Sequence, residues 1–150
     1  MKMSVWRLAH NSLLVRRNLK RKGVILDTIC PVCSRLDEDC GHLFFKCKGV
    51  RECWEILNMD NIRSELESCF PGQDTIMKIW NLPWKMQLKV LVLLWRWWSA
   101  RNKANRGEKM PRPLEMCSIT NYYLMEFEKL SNQEKLGKVV SVPRWKALPD

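Results

Sequence analysis

The sequence predicts an all-α fold: a small helical bundle with one cysteine-rich loop stapled to it and a disordered C-terminal tail. Three observations carry that prediction. Apolar residues recur at helical spacing, as in Val50, Cys53, Trp54 and Leu57 at i, i+3, i+4 and i+7. A longer segment, 84–106, is apolar on nearly every side at its centre, with Arg96 the one charge between Val90 and Trp98. Such a helix is buried on several sides and forms the axis of a bundle. Finally, Cys30, Cys33, His42 and Cys47 place four metal-type donors within one short loop.

Residues 1–11 read as a first helix, ending near Asn11-Ser12, with Val5, Trp6, Leu8, Ala9 and Leu13 as its apolar positions. A second runs from near Val15 to Lys22 and closes at Gly23, which suits a left-handed cap. Its residues Arg16, Arg17, Lys20, Arg21 and Lys22 form a basic cluster, either a solvated face or a phosphate contact. Residues 24–47 form the cysteine-rich knuckle, and Cys47 opens a helix running to about Asn58, with Trp54 as a core anchor. Asn61 to Phe70 reads as a short helix ended by Pro71-Gly72, and Asp74 to Trp80 as one or two turns. Asn81-Leu82-Pro83 then breaks the chain before the long helix 84–106.

That helix is too short, and too closely flanked by Lys85, Lys89, Arg101 and Lys103, to span a bilayer. Its Trp95, Trp97 and Trp98 read as buried; the alternative is a patch left open for a partner. Gly107 closes it. Pro113 suits the first turn of a last helix, to about Leu130, with the stripe Met116, Ile119, Tyr123, Phe127 and Leu130. That stripe packs on the bundle or carries a homodimer contact. After Ser131 the periodicity fails, so residues 1–130 read as one domain and 131–150, with Gly137, Pro143 and Pro149, as a flexible tail.

In the knuckle, Cys30-Pro31-Val32-Cys33 is a C-x2-C turn, and His42 to Cys47 is an H-x4-C pair. Three thiolates and one imidazole complete a tetrahedral set for Zn²⁺, which leaves no open position for water. The reading is therefore one structural zinc ion held by Cys30, Cys33, His42 and Cys47. Cys40, two residues before His42, is the alternative fourth ligand; Cys40-Gly41 reads as the turn leading into His42.

Seven cysteines are an odd number, and their clustering at metal spacing points to a reducing compartment and thiolates. The net charge of +10 is uneven. Residues 1–26 carry seven basic and no acidic residues, 27–80 six basic and ten acidic, and 81–112 eight basic and one acidic. The knuckle thus lies in the acidic part of the chain. Any phosphate-binding surface is expected on the two basic segments, through Arg16, Arg17, Lys20, Arg21, Lys22, Arg101, Lys103 and Arg106. The acid-free, Arg-rich residues 1–26 also have the character of a mitochondrial presequence, an alternative to a nuclear or cytoplasmic location.

Several stretches resemble a known family. Val5-Trp6-Arg7-Leu8-Ala9-His10-Asn11-Ser12-Leu13, Asn18-Leu19-Lys20-Arg21-Lys22-Gly23, the Cys30–Cys47 knuckle with its His42-Leu43-Phe44-Phe45-Lys46-Cys47 ending, and Trp54 resemble the zinc-binding region downstream of the reverse transcriptase domain in plant LINE-type, non-LTR retroelements. The run Leu93-Leu94-Trp95-Arg96-Trp97-Trp98-Ser99-Ala100-Arg101-Asn102-Lys103 is also typical of those reading frames. Pro143-Arg144-Trp145-Lys146 looks like the linker before a ribonuclease-H-like domain. The resemblance implies a segment between a polymerase and a nuclease, with neither active centre. Two positions depart from the pattern: Leu14-Val15 stands where the family often has Pro-Thr and so a helix N-cap, and Cys40 where it usually has a small residue.

Little in the chain suggests catalysis. It has no Gly-rich phosphate loop, no Ser-His-Asp pattern and only two histidines. The expected function is a non-catalytic zinc module that binds nucleic acid without sequence selectivity. The alternative is a co-opted host protein acting through protein contacts, by Trp95, Trp97 and Trp98 or by the helix 113–130. No small-molecule substrate is expected.

Overall fold

The computed structural model describes residues 2–71 and 73–136. Among them the fold is all-α. Its helices are α1 (Lys2–Ala9), α2 (Arg16–Arg21), α3 (Lys48–Ile56), α4 (Asp60–Cys69), α5 (Gln73–Trp80), α6 (Trp84–Ala104) and α7 (Pro113–Leu136), with a π-helical turn at His42–Lys46 before α3. None is long and apolar enough to cross a membrane.

The helix ends follow local chemistry. α1 stops where Asn11 turns left-handed (φ 49°), and Ser12 N–H reaches back to Arg7 C=O at 2.8 Å. Gly23 (φ 88°) closes α2 in the same way, with Val24 N–H on Leu19 C=O. The start of α2 is different. Val15 offers no side-chain cap, and the cap arrives from the knuckle: the Glu38 carboxylate accepts Arg16 N–H at 2.8 Å, and the Glu38 carbonyl accepts Arg17 N–H at 3.1 Å. A distant acid thus replaces the local cap that Leu14-Val15 lacks.

Packing centres on α6, which contacts α1, α5 and α7, while α3 lies against α7 and the π turn. Val50, Cys53, Trp54 and Leu57 are all buried, as their spacing predicts. Trp54 packs on the knuckle: its indole N–H donates to Phe44 C=O at 2.9 Å, and its ring lies 6.3 Å from that of Phe45. α6 reaches the knuckle side through Trp97, whose ring is so close to Gly49 that a Cβ there would sit 3.0 Å from it. Lys89 of α6 donates to Leu57 C=O at the end of α3.

Two expectations change. Helix α7 continues to Leu136, past Leu130. Asn132-Gln133-Glu134-Lys135-Leu136 contains no Gly or Pro, and Gln, Glu, Lys and Leu are good helix formers, so the helix persists without an apolar stripe. Leu130 is exposed, so the buried stripe of α7 stops short of it. The part of the expected tail at 137–150, with the linker-like Pro143-Arg144-Trp145-Lys146, lies outside the described residues.

Candidate metal centre

Two small pieces of backbone build the site. In the first, Thr28–Cys30 runs antiparallel to Leu36–Glu38: Cys30 N–H donates to Leu36 C=O at 2.8 Å and Glu38 N–H to Thr28 C=O at 2.7 Å, around the bridge between Ile29 and Asp37. The intervening turn closes with Ser34 N–H on Cys30 C=O at 2.9 Å, Ser34 being left-handed at φ 52°. That turn curls Cys33 back beside Cys30. The second piece is the π turn. Residues five apart on an α-helix face about 140° away from each other. The i→i+5 bond from Cys47 N–H to His42 C=O, 2.7 Å, instead brings Cys47 back beneath His42. The H-x4-C spacing therefore works because the turn is π. Asp39 starts it, its Oδ1 accepting His42 N–H at 2.7 Å.

The result is a compact donor set. One ligand atom each from Cys30, Cys33, His42 and Cys47 lie within 4.8 Å of one another, with Cys30, His42 and Cys47 buried and Cys33 half-buried. Cys33 Sγ is 3.4 Å from His42 Nε2, close to the ~3.6 Å edge of a tetrahedron with Zn–S of about 2.3 Å and Zn–N of about 2.0–2.1 Å. Val32 N–H points at Cys30 Sγ from 3.4 Å, and the Gly49 backbone faces the Cys47 sulfur.

The electrostatics ask for a cation. Cys30 is drawn down to about 3, first by a hydrogen bond from Cys47, against the effect of burial. Cys47 is pushed up by that same contact and by burial. His42 is raised, mainly by its hydrogen bond with Cys30. One thiolate forms readily at Cys30, and Cys47 beside it then holds its proton. Three adjacent thiolates need a positive charge among them, and the S₃N donor set suits a borderline-soft ion such as Zn²⁺.

Cys40 stands apart. Its buried sulfur is 4.0 Å from Asn18 Nδ2, and it is not among the four clustered donors. Burial, with Asp39 adding to it, pushes its thiol up to about 12.

The other predicted site residues divide. Arg17, Lys20 and Arg21 of α2, Lys22 just after it, Lys103 in the last turn of α6 and Arg106 just beyond it are exposed. Arg16 is half-buried and bridges the two groups, bonding Asp27 at 2.9 Å and Asn105 Oδ1 at 3.1 Å. Arg101 is not a surface cation. It is buried in a bidentate ion pair with Glu38, itself 0 % exposed, and stacks on Trp98 at 5.2 Å. A cation on the apolar face of α6 must be neutralised, and Glu38 does it. Nor do Trp95, Trp97 and Trp98 form an open patch. Trp97 is in the core, Trp98 is half-buried near Phe44, and Trp95 meets Tyr123 edge-on at 5.4 Å. Among the described residues the exposed tryptophans are Trp6, Trp80 and Trp84.

Glu38 is the residue that sequence reasoning missed. Two signals pointed to it: a helix start without a cap at Val15, and an arginine within an otherwise buried helix face.

No curated protein and no solved structure matches the chain. Residues 1–54, which carry α1, α2, all four clustered donors and α3 as far as Trp54, match the family model described as zinc-binding in reverse transcriptase.

Proposed function

We propose that the chain is a non-catalytic helical module derived from a retroelement polyprotein, held by one structural Zn²⁺ on Cys30, Cys33, His42 and Cys47, that binds nucleic acid through a basic face. The metal ties the Thr28–Glu38 hairpin to the π turn, and four protein donors fill its coordination. Its role is to fix the corner from which Glu38 reaches α2 and α6.

The observation that carries the binding reading is the Arg16–Asn105 contact. It seats the start of α2 against the end of α6 and so joins the two basic segments of the chain. Lys20, Arg21 and Lys22 of the first segment and Lys103 and Arg106 of the second are all exposed. Such a face binds phosphates by counterion release, without sequence selectivity. Fluorescence polarisation with a labelled oligonucleotide tests it. Binding that weakens steeply with added salt supports the reading, and no binding at about 50 mM salt overturns it.

A second reading has its own observation. Between α1 and α5 lies a groove of about 590 Å³, lined by Val5, Trp6, Ile76, Met77, Trp80 and Leu91 and almost wholly apolar. Exposed apolar surface of this kind suits a protein partner. Affinity purification that returns a stoichiometric protein, retained after nuclease treatment, favours this reading over the first.

A further inference from the structure

A smaller, polar cleft of about 270 Å³ lies where α2 meets the π turn. Arg17 and Arg21 line it from α2, Lys46 and Asp39 from the knuckle side, and Phe70 and Pro71 from the end of α4. Arg17 pairs with Asp39 at 3.2 Å, which neutralises that carboxylate. Arg21 and Lys46 make no ion pair among the described residues and are exposed. Two uncommitted cations from two different elements therefore face one cleft. Its far wall is apolar, and the Phe70 ring is held in place by Phe45 at 5.5 Å.

We propose that this cleft holds the backbone of a single-stranded nucleic acid, one phosphate between Arg21 and Lys46 and a neighbouring base against Phe70 and Pro71. The proposal rests on the nucleic-acid reading above and names its ligand class. Single-strand sites pair a basic groove, which tracks phosphates, with rings on which bases stack. The cleft's volume is of the order of one nucleotide. Charge along the sequence points away from Lys46, which belongs to the acidic segment 27–80. Folding brings it beside α2, because it lies on the π turn between His42 and Cys47.

The test uses the full chain, a fluorescein-labelled oligo(dT) and an abasic strand of the same length, in anisotropy titrations across a salt series. Lys46→Ala is the informative variant, Arg21→Ala its companion, and Lys78→Ala, an exposed cation of α5, the control. Thermal melting establishes that each variant folds. Lys46→Ala and Arg21→Ala are each expected to weaken oligo(dT) binding roughly 3- to 10-fold and to flatten the salt slope by about 0.7. Lys78→Ala should bind as the parent does, and the abasic strand more weakly than oligo(dT). A parent that binds, with Lys46→Ala indistinguishable from Lys78→Ala, overturns the cleft while leaving the broader basic face standing. Equal affinity for the abasic strand overturns the base contact. A parent that binds neither strand removes both readings.

Discussion

Glu38 concentrates several interactions in one side chain. It caps α2 through Arg16 N–H and neutralises Arg101 inside the protein. Removing one partner of a buried pair leaves the other charge stranded, at about 3–5 kcal/mol, whereas replacing both by apolar groups is often neutral. Glu38→Ala should therefore lower the unfolding free energy by about that amount in urea titration, and Glu38→Leu with Arg101→Met should recover most of it. A loss in the double variant equal to the sum of the two single losses would show that the pair is not coupled. Cys40 gives a second prediction at this scale. Its thiol is buried and pushed up to about 12, so the native protein should leave Cys40 unmodified by iodoacetamide at mildly alkaline pH until it is unfolded in urea. Mass spectrometry of the digested protein reads the outcome, and early labelling of Cys40 would contradict its placement.

At the scale of elements, the helices with a strong apolar stripe were legible in the sequence. Val50, Cys53, Trp54 and Leu57 announced α3, and the apolar run from Val90 to Trp98 announced α6, because burial imposes the helical period directly. That Cys30, Cys33, His42 and Cys47 would lie together was equally legible, since C-x2-C and H-x4-C are spacings that zinc sites use. What spacing could not show was how His42 and Cys47 come together; that depends on the π turn and its bond from Cys47 to His42. The end of α7 was also hidden, because a surface helix rests on propensity and has no apolar pattern to mark its limit. The fate of Arg101 was legible only in part: its place on an apolar helix face signals a buried partner, but spacing does not say that the partner is Glu38. The contact between α3 and α6 makes its own prediction. Gly49→Ala places a methyl 3.0 Å from the Trp97 ring, and in a packed core such an addition costs about 1–3 kcal/mol. A thermal melt unchanged by Gly49→Ala would mean that Trp97 yields freely.

For the molecule as a whole, the knuckle is a staple and not a separate appendage. The segment from Cys30 to Cys47 supplies the cap of α2, the partner of Arg101, and the Phe44 and Phe45 surface on which Trp54 rests. Arg63 of α4 is tied in as well, donating to Phe45 C=O. Loosening the knuckle should thus be felt in α2, α3, α4 and α6 together. Structural zinc sites contribute about 10–16 kcal/mol of apparent binding free energy in small domains. If only ~4 kcal/mol of that reaches the fold here, a chelator should lower the melting temperature by about 12 °C, at ~3 °C per kcal/mol for a chain of this size. Acidification should release the metal too, because protons compete for three sulfurs and an imidazole. The measurement closest to the central claim is elemental analysis of natively purified protein beside Cys30→Ser and His42→Ala variants. One zinc per chain in the parent, lost in both variants while Cys40→Ala keeps it, is the expected result. A parent without metal, or variants that retain a full equivalent, would contradict it.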